Sequence, residues 1–534
     1  MENTRKSRKQ FLLNLMVPSI VFGSITGVFT AVIVLLYKKA AIHVVEWSEY
    51  LYRLFKEQPL WLVLAAAVLF GVSFLFAFIY KRVPNLKGGG IPTSIAILRG
   101  IITFKWLRNL VGVIALSLSS FLVGVPLGNE GPSVQIGTAV GRGAVRVFAK
   151  KHRAWDRYSM TGGACAGFSV ATGAPISGIM FAVEEAHQRI SPMIIIVSTI
   201  SVIFANFTST VLAPLFGVDN AIFENHQTMA LSLKDVWLPV CIGIVIGLFA
   251  VLFLKYYRAV SAFFNQTLKK VGLPYKIFAV FVLTVAAGLL ADGFVSSGHH
   301  LLLSLFDGGF PIYTLLLILL VRATLMLGAN TNGVTGGMFI PMLALGALVA
   351  AVFGEILTAY CGLDAAYFSV ILTFGIIACI AAMMKTPITA VVFAVEVLNC
   401  HMNILYVITV CAVSYMITEM FGAKSINDTA VEDKMEQLEE EKTPVLIDTF
   451  VVVKKDAFAI GKQVRDIFWP ANLFVLSITH DANRKTVVDE HGGKSILEGD
   501  TLHVRYSTYD EAETKEELEA IVGVQDAPTA GEKE

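Results

Sequence analysis

The segment Gly128-Asn-Glu-Gly-Pro132 interrupts an uncharged run that begins at Asn109 and is long enough to cross a bilayer. Glycine lets the backbone leave a helix, and proline suits the first turn of the next helix. The freed N–H groups of that new helix, together with the positive end of its dipole, favour an anion. A carboxylate in an apolar run marks an ion or proton pathway by default. Glu130 therefore lies inside a predicted anion site at membrane depth, where it would act as gate and proton carrier.

Two further breaks have the same pattern, Gly88-Gly-Gly-Ile-Pro92 and Gly337-Met-Phe-Ile-Pro341. The chain also contains an internal duplication, because Phe181-Ala-Val-Glu184 recurs as Phe393-Ala-Val-Glu396 and a second match has nearly the same spacing. Membrane transporters are often built from two repeats whose broken helices meet around the substrate. The sequence therefore predicts a duplicated transporter with broken helices.

The composition supports this interpretation. Of 534 residues, 55% are hydrophobic and 16% are charged, with a mean hydropathy of +0.68, whereas soluble proteins carry about 25% charged residues. The net charge of +1 gives no reason to expect nucleic acid as a partner. The chain lacks an HExxH zinc pair and a TVGYG-type potassium filter. We therefore expect neither an enzyme nor a potassium transporter subunit, and no cofactor.

Charge and composition predict the topology and the domains. The segments Arg142–Arg157 and Lys81–Arg108 are rich in basic residues and should be cytoplasmic. We expect a multi-pass protein of the cell membrane with both termini in the cytoplasm. Three shorter apolar runs predict tilted, re-entrant or half-crossing helices, at Ile277–Ala291, Gly308–Val321 and Thr386–Val395. The predicted units are an all-α membrane domain (1–427), an acidic helical linker (428–444), a small cytoplasmic α+β domain (445–509) and a charged, disordered tail (510–534).

In their order, and with the duplication, the three breaks resemble the GSGIP, G(K/R)EGP and GxFxP motifs of the CLC family of anion channels and anion/proton exchangers. The resemblance covers roughly residues 10–435. It implies an inverted-repeat bundle in a lipid bilayer and a homodimer with one pore per subunit. It also implies a gating glutamate at Glu130 and an internal proton acceptor at Glu185. The residues expected to bind the anion are Gly89, Gly90, Ile91, Asn129, Gly131, Phe339, Ile340 and Asn427.

Three positions depart from the family motifs. Gly89 replaces the serine of GSGIP, Asn129 replaces the basic residue of G(K/R)EGP, and Asn427 aligns best with a tyrosine on the inner side of the anion site. Asn129 and Gly333-Val-Thr-Gly-Gly337 also resemble the fluoride-exporting branch, which generally lacks the internal glutamate. We therefore predict an anion/proton antiporter with chloride as its most favoured anion. The alternatives are a fluoride/proton antiporter and a passive anion channel.

The adjacent carboxylates Glu184 and Glu185 should have different roles, because neighbouring helical residues point about 100° apart. Glu184 has a repeat counterpart in Glu396, which favours a scaffold role. Glu185 has no such counterpart and matches the internal proton acceptor of family exchangers. The alternative for Glu185 is a simple ion pair with Arg189, four residues on.

The C-terminal residues Gly461-Lys462, Phe468-Trp-Pro470, Ile478 and Gly499-Asp500 resemble the RCK_C (TrkA-C) regulator domain of potassium-transport proteins. Such domains dimerise, and several resemble sensors of cyclic di-AMP. The resemblance therefore implies regulation of transport. The alternative is a dimerisation clamp without a ligand. Candidate nucleotide contacts are His480, Asn483 and Arg484.

Overall fold

The computed structural model describes residues 16–88, 90–150, 152–219, 223, 228–441, 443–480, 485–488 and 492–524. Within these residues, ten helices are long and apolar enough to cross a membrane. They span Val17–Glu57, Trp61–Arg82, Trp106–Val123, Pro192–Phe216, Leu233–Thr267, Leu273–Leu290, Ile312–Thr331, Phe339–Cys361, Ala365–Met384 and Cys400–Met420. The predicted multi-pass, all-α membrane domain is confirmed.

Shorter or more polar helices complete this bundle. They are Ile91–Leu98, Glu130–Phe148, Asp156–Thr172, Pro175–Met180, His299–Asp307, Pro387–Val397 and Ile426–Glu441. The second and third of these cross at backbone contact, because a Cβ atom at Gly137 would lie only 1.9 Å from the carbonyl oxygen of Gly163. Small residues at such crossings let membrane helices pack closely.

Two helices are longer than their apolar runs predict. Leu273–Leu290 and Ile312–Thr331 have the length of full spans, where tilted, re-entrant or half-crossing helices were expected. Each helix contains a charged residue at which the uncharged run in the sequence stops: Lys276 in the first helix and Arg322 in the second. Arg322 is buried, and its guanidinium donates to three backbone carbonyls of the 293–296 loop. These hydrogen bonds offset the cost of burying the charge.

The C-terminal domain is a four-stranded antiparallel sheet covered by a helix. In spatial order the strands are Val445–Val452, Thr501–Thr508, Leu473–His480 and Lys485–Val488. Alternate residues of the sheet, including Val451, Ile478 and Val504, are buried in one apolar cluster. The small α+β domain predicted from the short β-branched runs is therefore confirmed.

The expectation of a disordered tail from residue 510 is wrong for its first part. Glu511–Val522 form a helix, and the side chain of Asp510 accepts a hydrogen bond from the backbone N–H of Glu513 at its start. Leu518, Ile521 and Val522 are buried in the core of the C-terminal domain. The many glutamates on the outer face of this helix concealed its short apolar stripe in the sequence. Residues 525–534 lie outside the described residues.

We expect Ile521→Ala to destabilise the C-terminal domain by about 2–5 kcal/mol, because it removes buried methylenes from a closed core. Limited proteolysis of the full chain in detergent measures this as faster cleavage within residues 445–524. The matched control is Val524→Ala, since Val524 is 73% exposed. Equal cleavage rates for the two variants would return this segment to the status of a tail.

Candidate functional site

The three Gly-rich breaks meet in the membrane domain. Gly128 and Gly337 exchange two backbone hydrogen bonds, with nitrogen–oxygen distances of 2.7 and 2.8 Å. The break of one repeat is thus paired antiparallel with the break of the other. The third break joins them through Gly88, whose N–H donates to the carbonyl of Gly333 over 2.8 Å. The three helices that follow the breaks therefore begin close together.

This close approach depends on Gly131. A Cβ atom at that position would lie 2.7 Å from the Cα atom of Gly337 and 3.1 Å from the Cα atom of Gly90. A side chain would push the backbones apart. The converging segments line a small cavity whose lining includes Ile91, Phe339 and Asn427.

Glu130 lies in the first turn of helix Glu130–Phe148 and is only 4% exposed. The backbone N–H of Ile340 and the buried ammonium of Lys38 both stabilise the negative charge of its carboxylate electrostatically. Among the described residues, Oε2 of Glu130 has no hydrogen-bond partner. A buried carboxylate oxygen without a partner is costly. The carboxylate thus lies where helix-start N–H groups favour an anion.

Glu185 lies in the π-helical turn Phe181–Ala186 and is also 4% exposed. Its partner is Asn427, whose Nδ2 donates to Oε1 of Glu185. Its backbone carbonyl accepts a hydrogen bond of 2.9 Å from Arg99. The alternative partner, Arg189, instead places its guanidinium 4.7 Å from the ring centroid of Phe468. Turns of this π-helical kind occur frequently at functional sites.

The remaining predicted anion ligands are distributed around the same breaks. Gly90 has a φ of +82° and donates its N–H to Oε1 of Gln135 over 2.8 Å. Asn129 precedes helix Glu130–Phe148, and its backbone carbonyl accepts from Ser133. Gly89 lies outside the described residues. The structure thus brings together Gly90, Ile91, Gly131, Phe339, Ile340 and Asn427 around the breaks and the cavity.

Glu184 and Glu396 cap helices in each other's repeat. The carboxylate of Glu184 accepts the backbone N–H groups of Ile388 and Thr389 at 2.9 and 2.7 Å. Glu396 in turn accepts those of Ile176 and Ser177 at 2.6 and 2.9 Å. Each carboxylate also accepts the hydroxyl of the second capped residue. These contacts stabilise the first turns of helices Pro175–Met180 and Pro387–Val397.

The C-terminal domain contacts the arginine-rich side of the membrane domain. Three ion pairs connect arginines of the 142–157 segment to helix Glu511–Val522: Arg142–Glu513, Arg153–Glu516 and Arg157–Glu517. These pairs hold the small domain against the ends of two central helices.

Phe468 is the apolar centre of this contact. Its ring centroid lies 4.4 Å from that of Tyr158 and 4.5 Å from that of His187. Its backbone N–H donates to the hydroxyl of Tyr158 over 3.2 Å. Since His187 follows Glu185 by two residues, the C-terminal domain reaches the end of the turn that carries the inner carboxylate.

Of the proposed nucleotide contacts, only His480 belongs to the described residues. It ends a strand, and its Nδ1 is hydrogen-bonded to Oδ1 of Asp500 over 2.9 Å. Asn483 and Arg484 lie outside the described residues.

Sequence reasoning missed two charged residues at this site. Lys38 donates from within a membrane helix to the carbonyls of Val170, Ala171 and Asp219. Arg99 joins the Glu185 turn to Asp428. A pair of cations, Lys38 and Lys39, directly after a long apolar run was the signal for Lys38. The contacts of Arg99 span the chain and leave no local pattern.

The chain resembles known anion transporters in sequence. A family model described as "Voltage gated chloride channel" matches residues 71–419. The H(+)/Cl(-) exchange transporter ClcA of Vibrio parahaemolyticus is 30% identical over 395 residues, which cover 71% of this chain and 82% of the relative. The ClcA of Klebsiella pneumoniae is 28% identical over 375 residues, covering 68% and 78%.

Solved structures share the fold. A slow cyanobacterial Cl−/H+ antiporter matches with a TM-score of 0.70 at 24% identity, covering 79% of this chain and 99% of that one. A CLC-type fluoride/proton antiporter matches with a TM-score of 0.63 at 18% identity, covering 76% and 96%.

We expect Glu184→Gln and Glu396→Gln each to lower stability by about 1–3 kcal/mol, because a carboxylate that accepts three hydrogen bonds becomes a neutral amide. The measurement is the thermal unfolding midpoint of the purified full chain in detergent. The matched control is Glu57→Gln, since Glu57 is exposed at the end of helix Val17–Glu57. Unchanged midpoints in both variants would contradict a capping role.

Proposed function

The chain belongs to the voltage-gated chloride channel family, and on this premise we propose that it is an anion/proton antiporter with chloride as its preferred anion. The observation that carries the proposal is the pair of buried carboxylates, Glu130 at the meeting helix starts and Glu185 beside the cavity. Passive conduction of an anion needs no second buried carboxylate. The relatives from Vibrio and Klebsiella are H+/Cl− exchange transporters, which agrees with this choice.

In the proposed mechanism, Glu130 competes with the transported anion. When ionised, its carboxylate is stabilised by the backbone N–H of Ile340 at the start of helix Phe339–Cys361, and its negative charge excludes an anion from that site. When protonated, the side chain is neutral and is no longer attracted to the helix-start N–H groups, so an anion replaces it. Binding of a proton at Glu130 thus makes room for an anion at the helix starts.

Glu185 receives the proton that Glu130 releases. Its burial removes it from bulk water, and it contacts Asn427, which lines the small cavity. A proton that leaves Glu130 passes to Glu185, and from there to the side of the membrane where the arginine-rich 142–157 segment lies. By the basic residues of that segment, we assign this side to the cytoplasm.

Fluoride is the second candidate anion. Asn129 and the segment Gly333-Val-Thr-Gly-Gly337 are the features that favour it, and a CLC-type fluoride/proton antiporter shares the fold. Glu185 favours chloride, since the fluoride-exporting branch generally lacks an internal glutamate. Both anions enter the transport test below.

We further infer that the protein is a homodimer in the lipid bilayer with both termini in the cytoplasm. Apolar side chains are exposed along helices Pro192–Phe216 and Cys400–Met420, including Phe207, Val211 and Leu405. These surfaces suit contact with lipid chains or with a second copy.

We expect Glu130→Gln and Glu185→Gln to keep anion flux and to abolish proton transport, because a neutral amide neither binds a transferable proton nor competes as an anion. The measurement is anion efflux from liposomes loaded in turn with chloride or fluoride, with pH recorded outside. Wild-type protein should pump protons against their gradient when an anion gradient drives it, whereas each variant should move anions alone.

The control for this experiment is Glu57→Gln, which should couple protons as the wild type does. Proton pumping by Glu130→Gln would contradict the gate, and pumping by Glu185→Gln would contradict the inner acceptor. Anion flux without proton movement in the wild type would make the protein a passive channel.

We also propose that the C-terminal domain regulates transport and responds to cyclic di-AMP. The contact that supports regulation is Phe468, which packs against Tyr158 and His187 next to the Glu185 turn. The ion pairs of helix Glu511–Val522 fix the domain in that position. A ligand that shifts the sheet would therefore act on the turn through Phe468.

We expect Phe468→Ala to lower the response of anion flux to cyclic di-AMP several-fold, because the ring connects the sheet domain to the membrane helices. Flux from liposomes carrying the full chain is compared with and without the nucleotide. The control is Phe474→Ala, since Phe474 is 64% exposed on the sheet. Equal responses of the two variants would contradict this route, and no binding of the nucleotide by the full chain at millimolar concentration would leave the domain as a clamp.

A further inference from the structure

A large cavity lies at the end of the first membrane helix, Val17–Glu57. Its volume is about 930 Å³, which is within the range of small-molecule binding sites. Together with the first helix, it is enclosed by helices Leu273–Leu290, His299–Asp307 and Ile312–Thr331 and by the 291–298 loop. Among the described residues, it shares none of its lining with the small cavity at the Gly-rich breaks. The two cavities are therefore separate.

Tyr52 forms a fixed part of the wall of the large cavity. Its side chain lies between Gly124 and Gly288, where an added Cβ atom would be 2.9 and 2.4 Å from atoms of the tyrosine. The hydroxyl of Tyr52 donates to the backbone carbonyl of Val123 over 2.7 Å. The two glycines thus leave room for the ring, and the hydrogen bond fixes its orientation.

The 293–296 loop forms another fixed part of the wall. The buried guanidinium of Arg322 donates to three of its carbonyls. The backbone N–H of Ser296 donates to the carbonyl of Gly124 over 2.8 Å. Hydrogen bonds therefore connect this loop to the segment that leads to Glu130, and both line the same cavity.

Arg53, which also lines the cavity, lies at the membrane surface opposite the arginine-rich 142–157 segment. Phe22, near the described start of the first helix, contacts Trp155 of that segment, with ring centroids 5.8 Å apart. Arg53 follows Phe22 by 31 residues of the same helix, which corresponds to about 46 Å at 1.5 Å per residue. A bilayer with its head groups is about 40–45 Å thick. Arg53 therefore lies at the level of the outer head groups.

The cavity opens toward lipid at this level. Leu290 lines it and is 81% exposed. Trp47 and Tyr50 near the end of the first helix, and Tyr313 at the start of helix Ile312–Thr331, are also exposed. Trp and Tyr are enriched where a membrane meets water. A lipid of the outer leaflet thus has direct access to the cavity.

The lining changes from charged to apolar along the first helix. Arg53 and Lys56 lie in its last two turns, whereas Val45 lies deeper, 11 residues before Lys56. That spacing corresponds to about 16 Å along the helix axis. Leu317 and Ile318 add apolar surface from helix Ile312–Thr331. A phospholipid has the same succession of a charged head group and apolar chains.

The free charges of the lining are one cation and one anion. Lys56 is paired with Asp292 over 3.1 Å. Within the described part of the chain, the side chains of Glu49 and Arg53 form no hydrogen bond or ion pair. A guanidinium binds phosphate through two parallel N–H groups, and a carboxylate accepts hydrogen bonds from an ammonium. The complementary head group therefore carries one phosphate and one ammonium.

We propose that this cavity binds one zwitterionic phospholipid of the outer leaflet, of the phosphatidylethanolamine class. Arg53 binds its phosphate, Glu49 binds its ammonium, and an acyl chain packs against Leu290 and Leu317. The bound lipid contacts Gly124 and so stabilises the start of the segment that leads to Glu130. The site does not depend on which anion the protein transports.

The test measures lipid binding to the delipidated full chain in detergent by native mass spectrometry, with phosphatidylethanolamine and phosphatidylglycerol added in turn. The wild type should bind one phosphatidylethanolamine per chain about two- to fivefold more tightly than phosphatidylglycerol, which is the range for partly exposed ion pairs. Glu49→Gln should bring this ratio to near one. Arg53→Gln should weaken the binding of both lipids about two- to fivefold.

A matched pair of variants separates the cavity from the rest of the lipid-facing surface. Leu317→Trp places a larger side chain in the cavity and should weaken phosphatidylethanolamine binding several-fold. Leu316→Trp changes the preceding residue, which is 48% exposed and lies outside the described lining, and should bind the lipid as the wild type does.

Three results would overturn the proposal. Equal binding of the two lipids by the wild type would contradict a zwitterionic site. Unchanged binding by Arg53→Gln would contradict the phosphate contact. Equal binding by Leu317→Trp and Leu316→Trp would show that lipid is held only around the perimeter of the membrane domain.

Discussion

Two backbone hydrogen bonds between Gly128 and Gly337 hold the centre of this molecule together. A helix that starts at membrane depth leaves N–H groups that lipid cannot satisfy. Here the segments before two such helices satisfy part of each other's backbone, and Gly131 lets them approach to contact. The remaining polarity of the helix starts faces Glu130 and the cavity. The scaffold requirement and the anion chemistry therefore have a single physical origin.

The position of this centre could be predicted from the sequence, because glycine and proline act locally. Each break contains its own glycines and its own helix-starting proline, so Gly90, Gly131 and Phe339 follow from short patterns. The duplication then places the two halves opposite each other. Local chemistry and internal symmetry were sufficient to predict the fold of the membrane domain and the position of Glu130 within it.

Other features depend on contacts between distant parts of the chain. The partner of Glu185 lies 242 residues away at Asn427, and a residue four positions on, Arg189, was the nearer candidate. The charge of Arg322 interrupted an apolar run in the sequence. Its burial could not be predicted, because the carbonyls that accept its hydrogen bonds belong to a separate loop. Helix Glu511–Val522 was missed for a similar reason, since its few apolar residues are recognisable as core residues only from their packing against the sheet. Patterns of single segments cannot reveal such partners.

The exchanged caps of Glu184 and Glu396 have a consequence for biogenesis. Glu184 is synthesised long before Ile388 and Thr389 exist, so in the first half of the nascent chain its carboxylate lacks these hydrogen-bond donors. The helix Pro175–Met180 in this first half likewise lacks its capping carboxylate until Glu396 has been synthesised. Neither half can complete itself. A chain that ends between the halves therefore leaves the carboxylate of Glu184 and the first N–H groups of helix Pro175–Met180 without these partners.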